Sequence, residues 1–264
     1  MKLISKLFLL ILSGVITILY ISCSTSKSAS NVEVSKIQPK FDYTPKALES
    51  VGSTNITIAL VNPSFGDAGL RINPFLDFAE YMGKDFEELL TAKGFRIRGP
   101  FTQHGEMLYN DKINSDFILE IEIEINFRGI DRKRKTITKS NPVRILTPLG
   151  STSSGAETYY TYSGEGTIIP SLNLTATSTK FSEKLWRKNI VLPAAPFQYQ
   201  GSEKWTSDQV SLLNEIKQDN VVFNEIAKLL EGQYNLIFEL VERQIDPEEM
   251  KTIAIEARKI DEKN

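Results

Sequence analysis

The chain offers few side chains equipped for covalent chemistry. It has one histidine, His104, and one cysteine, Cys23. A Ser–His or Cys–His nucleophile needs the imidazole beside the attacking atom. His104 sits in a polar stretch, and no G-x-S-x-G turn exists to present a serine. No P-loop or dinucleotide-binding fingerprint is present, so no cofactor is implied. Glu120, Glu122 and Glu124 fall on alternate positions. On a strand they lie about 6 to 7 Å apart, a spacing at which carboxylates hydrolyse glycosides or hold a hard cation. The plainer reading is a solvated face whose charges pair with Lys133, Arg134 and Lys135 on a neighbouring strand. The sequence favours that reading, and no metal site is expected. Tyr159, Tyr160 and Tyr162 lie beside a Ser/Thr/Gly loop, where rings could stack on sugars or simply pack on the sheet.

The densest positive charge is Arg132-Lys133-Arg134-Lys135, continued by Thr136-Ile137-Thr138-Lys139. Arg134 or Lys135 could hold a carboxylate in charge-assisted hydrogen bonds, with Thr136 and Thr138 adding hydroxyls. A strand divides this set. Arg134, Thr136 and Thr138 share one face; Lys133, Lys135, Ile137 and Lys139 share the other. If Ile137 is core, the first set is the exposed one. A charged sheet edge that blocks aggregation is the competing reading.

The elements around these residues follow from hydrophobic periodicity. Phe117, Leu119, Ile121, Ile123, Ile125 and Phe127 alternate with mostly polar residues, which predicts a strand over 117–128 feeding a basic turn at 132–135. Residues 55–62 read as a buried strand. Asn73-Pro74 reads as the cap and first position of a helix with an apolar face through Phe75, Phe78, Met82, Phe86 and Leu90, ended by Gly94. Residues 95–101 return as a strand, completing a βαβ unit. Residues 135–146 can be extended with Pro142 at an edge, 150–157 is a loop, 164–177 and 183–192 form a hairpin, and 193–201 is a Pro/Ala linker. Helices are expected over 207–216, 220–244 and about 246–260. The fold class is therefore α+β. A mixed, largely antiparallel sheet of about six strands is opened by a βαβ unit, with two long helices packed on the face of Ile121 and Ile123.

Lys2 and Lys6 precede an apolar run, Leu7–Ile21, and small Ser22 precedes Cys23. This is the layout of a secretory signal, and the run is short for a membrane span of about 20 residues. The end of the run looks like a bacterial lipobox, in which the thiol is acylated and becomes the first mature residue. Ser24 in place of Asp favours the outer membrane. Without residues 1–22, 29 basic residues face 33 acidic ones, a net charge of −4, which argues against a nucleic-acid binder. The organisation expected is a signal peptide over 1–22, a disordered tether over 23–40, one α+β domain over 41–245, and a C-terminal helix over 246–264 free to project.

The basic run resembles a motif of the neuraminyllactose-binding hemagglutinin family, surface lipoproteins of Gram-negative bacteria. The family pattern Lys-Arg-Thr-Ile-Gln-Lys matches Arg134, Lys135, Thr136, Ile137, Thr138 and Lys139, followed by Ser140-Asn141-Pro142. The two leading basic residues are exchanged, Thr138 replaces Gln, and Asn141 replaces an acidic residue. Phe41-Asp42-Tyr43-Thr44-Pro45, Leu60-Val61-Asn62-Pro63-Ser64-Phe65 and Leu89–Phe95 agree as well. The resemblance implies a non-enzymatic, adhesin-like lipoprotein on the cell surface that binds sialylated glycans through Arg134, Lys135, Thr136, Thr138 and Lys139. The alternative is an envelope scaffold lipoprotein that binds a protein partner. A hydrolase built on the Glu120–Glu124 row is least favoured.

Overall fold

A computed structural model of the chain describes residues 34–46, 53–141, 155–202 and 205–263. The signal segment, Cys23, the first part of the tether, Pro142 and residues 150–154 of the expected loop lie outside the described residues. The folded body spans Ser35–Asn264. It is α+β, with a mixed, largely antiparallel sheet of seven strands.

Strand β1 (Thr57–Val61) runs parallel to β3 (Arg96–Phe101), and helix α1 (Phe75–Ala92) joins them. β1 also pairs in parallel with β4 (Phe117–Asn141), and the short β2 (Ser64–Phe65) pairs with β4 further along. β5 (Gly155–Thr177) runs antiparallel to β4 along its whole length and carries β6 (Lys184–Val191) and β7 (Ala195–Gln200) on its other edge. The expected βαβ unit and the 164–177/183–192 hairpin are both present. The segment 193–201 is not a linker. Ala195, Phe197 and Tyr199 are buried and alternate with exposed Pro196, Gln198 and Gln200, which makes it an edge strand. Proline is tolerated there because the outer backbone of an edge strand need not donate.

Helix α1 starts differently from the expectation. Pro74 itself takes the cap position and no side chain bonds the first turn, so Asn73 is not a cap. Its end is as expected: Gly94 adopts φ 86° and donates to the Thr91 carbonyl at 2.9 Å. Helix α2 is a single short piece, Tyr109–Ile113. Helix α3 (Leu212–Gln218) begins later than the expected Ser207, because the Ser207 hydroxyl accepts from the Gln209 N–H in a local turn. Ser211 caps α3 and Asp219 caps the long α4 (Asn220–Gln244).

Leu119, Ile121, Ile123 and Ile125 join one core with Phe75, Phe78, Met82 and Phe86 of α1 and Ile226, Leu230, Tyr234 and Phe238 of α4. The two long helices thus cover the expected face. Helix α5 (Pro247–Lys263) packs onto the same core through Met250, Ile253, Ala254 and Ala257 and does not project. Its small alanines permit close approach, Arg258 bonds Asp116 at 2.6 Å, and Glu249 accepts from the Trp186 indole at 2.9 Å.

Order begins before Phe41. The Ile37 N–H donates to Asn224 Oδ1 at 2.9 Å, and Asn224 Nδ2 donates to the Ser35 carbonyl at 2.9 Å. Phe41 packs edge-on to Phe78, and Tyr43 stacks on Phe238 at 4.9 Å. Asp85, buried between them, accepts from the Tyr43 N–H and the Tyr234 hydroxyl. Burial pushes its carboxyl up from the ordinary range, and those two hydrogen bonds only partly offset it. Phe41 and Tyr43, in one of the stretches that carries the family resemblance, are therefore core, while Asp42 and Thr44 between and beside them are exposed.

Candidate functional site

The basic run does not lie in a turn. β4 continues straight through it, past a bulge between Arg128 and Asp131. There Gly129 takes φ 58° with nothing near its missing Cβ, a left-handed conformation that a glycine adopts without strain. The bulge inserts one extra residue on β4, so the helix-facing side passes from odd positions (Phe127) to even ones (Arg132). Arg132, Arg134, Thr136 and Thr138 therefore face the helices, and Lys133, Lys135, Ile137 and Lys139 face away. The expected split of the motif is observed, but Ile137 is half-buried beside Tyr159 and is not core.

Arg132 is anchored. It donates to Glu215 Oε2 of α3 at 2.7 Å and to the Tyr199 hydroxyl at 3.1 Å, and it lies 4.9 Å over the Tyr162 ring. The Tyr199 hydroxyl also donates to Glu215 Oε2, at 2.8 Å. Glu215 is fully buried and its other oxygen has no partner among the described residues. Burial pushes the Glu215 carboxyl up, with Tyr199 and Arg132 opposing. Neither Glu215 nor Tyr199 was expected from the sequence. The available signals were a glutamate next to buried Ile216 and the Ala195/Phe197/Tyr199 alternation.

Arg134 is available. It lies 5.3 Å over the Tyr160 ring and 3.5 Å from Asp208, with 46% of its side chain exposed against 59% for Asp208. Beyond it, Thr136 sits opposite Tyr160 and Thr138 opposite Thr158, and both threonines are exposed. The three tyrosines divide between faces. Tyr162 is buried beneath Arg132, Tyr160 flanks Arg134, and Tyr159 lies on the far face with Lys139 at 5.3 Å and its hydroxyl on Glu157. Lys135 is exposed on that far face. No single surface uses the whole candidate set Arg134, Lys135, Thr136, Thr138 and Lys139.

The glutamate row does not pair with Lys133–Lys135, which lie further along the same strand. Its neighbours on β5 are Thr175, Asn173 and Ser171, and Glu122 also stands beside Ser64 of β2. Glu124 accepts from Asn173 at 2.9 Å, and Glu120 meets His104 Nδ1 at 3.0 Å. His104 Nε2 lies 3.4 Å from Ser182 Oγ. His104, Glu120 and Glu122 line a cleft of about 810 Å³ outside the C-terminal ends of β1 and β3. Among the described residues no group of three or more His, Cys, Asp or Glu is placed to hold a metal ion. No helix among them is long and apolar enough to cross a membrane.

No protein-family model matches the sequence, and no curated protein does. A solved structure shares the fold. A protein from Helicobacter pylori, described as a neuraminyllactose-binding hemagglutinin homolog, superposes with a TM-score of 0.52 at 12% identity, over 84% of this chain and 100% of that one. A Xanthomonas campestris protein of the DUF330 family gives 0.32 at 10% identity, over 78% and 94% of the two chains. A hypothetical protein from Chlamydia trachomatis gives 0.25 at 10%, over 70% and 95%.

Proposed function

We propose that this chain is a binding lipoprotein of the bacterial envelope, a distant member of the neuraminyllactose-binding hemagglutinin family that recognises sialylated glycans. In this reading it is anchored in the outer membrane through an acylated Cys23, with the folded body outward. The observation that carries the reading is the open face of β4 and β5 on which Arg134, Tyr160, Thr136 and Thr138 come together. A sugar carboxylate would take Arg134 from Asp208 in a charge-assisted hydrogen bond. That exchange is cheap, because an exposed ion pair is worth about 0 to 1 kcal/mol. The Tyr160 ring and the threonine hydroxyls would then meet the sugar's apolar face and hydroxyls. The shared fold and the sequence motif support family membership; the ligand class rests on the motif and on this face.

A glycan array with wild type, Arg134→Ala, Tyr160→Ala and Lys135→Ala tests the site. Arg134→Ala and Tyr160→Ala should each lower sialylated-glycan binding tenfold or more, and Lys135→Ala should leave it intact. The opposite pattern removes this face as the site. Protease shaving of intact cells, read by mass spectrometry, tests the orientation.

A second reading, an envelope scaffold, draws on the outer edge of β4. From Glu124 to Asn141 that edge has no partner strand among the described residues. Protection from shaving, together with no glycan binding, would favour it.

A further inference from the structure

We infer that Ser182, His104 and Glu120 form a nucleophile, base and orienting carboxylate able to hydrolyse short acyl esters of polar alcohols. The three residues come from separate places. His104 opens the single turn His104–Glu106, Glu120 stands on β4, and Ser182 lies in the turn before β6. Glu120 Oε1 is 3.0 Å from His104 Nδ1. A carboxylate only accepts, so Nδ1 carries the proton and Nε2 presents its lone pair. That lone pair lies 3.4 Å from Ser182 Oγ, a separation typical of a base and nucleophile that tighten on substrate binding.

The serine is held in an uncommon conformation. Its φ is 54°, in the left-handed region that non-glycine residues seldom adopt. Buried Ser178 fixes it: the Ser182 N–H donates to the Ser178 carbonyl, the Ser178 N–H donates to the Glu183 carbonyl, and the Glu183 N–H donates to Ser178 Oγ. Strain maintained this way, at a serine facing a histidine, is the pattern of a presented nucleophile. The adjoining cleft of about 810 Å³ includes Asn62, Gln103, Asn173 and Lys184. These polar groups suit an alcohol rich in hydroxyls, and Val61, Phe65, Leu76 and Ile121 in the same lining offer apolar contact to a short acyl group. The Ser182 and Glu183 N–H groups are engaged, and Lys184, which lines the cleft, supplies a cation for the developing oxyanion.

Ser182 Oγ bonds to the ester carbonyl carbon while its proton passes to His104 Nε2. The bond from that carbon to the alcohol oxygen breaks, and the alkoxide takes the proton from His104. Water then attacks the acyl-serine with His104 as base, releasing the acid and restoring the serine. No oxidant or metal is required. The inference does not depend on glycan binding, since none of its residues lies on the Arg134 face.

The test uses the purified full chain with a fluorophosphonate probe and with p-nitrophenyl acetate. One adduct is expected, on Ser182, together with measurable ester hydrolysis. Ser182→Gly accommodates φ 54° and should keep the fold, judged by circular dichroism, while losing adduct and turnover. His104→Gln should lower kcat by about a hundredfold or more. Glu120, a positioning residue, should on change to Gln lower kcat with KM unchanged, and Glu120→Asp should restore part of it. No adduct in the wild type, an adduct persisting in Ser182→Gly, or turnover unaffected by His104→Gln would overturn the assignment.

Discussion

Arg132 and Arg134 stand two positions apart on one face of β4 and have different fates. Arg132 neutralises Glu215, a carboxylate with no exposed surface. Arg132→Ala should lower stability by about 3 to 5 kcal/mol in urea unfolding, because it leaves a buried charge alone. Glu215→Gln should lose less, about 1 to 2 kcal/mol, since the amide oxygen still accepts from Arg132 and Tyr199. Arg134, half exposed, should change stability by less than about 1 kcal/mol when replaced by Ala. Asp85 gives a pH dependence of opposite sign to the usual carboxylate. Its folded pKa is raised, mainly by burial, above the unfolded value of 3.8. The protonated form therefore favours the fold. That contribution is fully present below about pH 4 and is lost as pH rises through the folded pKa. Urea midpoints of wild type and Asp85→Asn, taken from pH 7 down to pH 4, should diverge in favour of the wild type. At this scale the sequence was only partly informative. Face-sharing by Arg134, Thr136 and Thr138 follows from strand geometry alone, but the meeting of Ser182, His104 and Glu120 depends on three distant segments that no local pattern connects.

At the level of elements, the strong periods were legible: the Phe117–Phe127 alternation and the apolar stripes of α1 and α4. Local hydrogen bonds and special backbone angles decided what was not. Extended without interruption, the odd-numbered phase of 117–127 would put Ile137 in the core. The bulge at Gly129 shifts the phase, and Ile137 faces away from the helices. Pro193 and Pro196 similarly disguised the alternation of β7. Gly129→Val should cost about 1 to 2 kcal/mol in chemical unfolding, the strain of a left-handed β-branched residue. Asp219→Ala should cost about 1 to 2 kcal/mol, because the carboxylate accepts from Val221 N–H at 2.9 Å and also holds Ser202.

At the scale of the whole molecule, the ends of the folded body are part of its core. Residues 35–43 lie against α1 and α4, and α5 closes over the sheet. Composition alone suggested a tether to Lys40 and a thin, free final helix, because Met250, Ile253, Ala254 and Ala257 make a narrow stripe. The stripe is narrow because the alanines bring α5 close. Ile253→Ala should lower stability by about 2 to 5 kcal/mol, measured by thermal and urea unfolding, where a projecting helix would show almost no change. The bulge also bears on how chains of this fold are compared. Deleting Gly129 would let Ile130 pair where two residues now oppose Gly166, and Arg132 would still stand across from Gly164. Length and facing are thus separable at this point. Two chains could present the same surfaces while differing by one residue here, and aligning them without a gap would set every lysine of one against an arginine or threonine of the other.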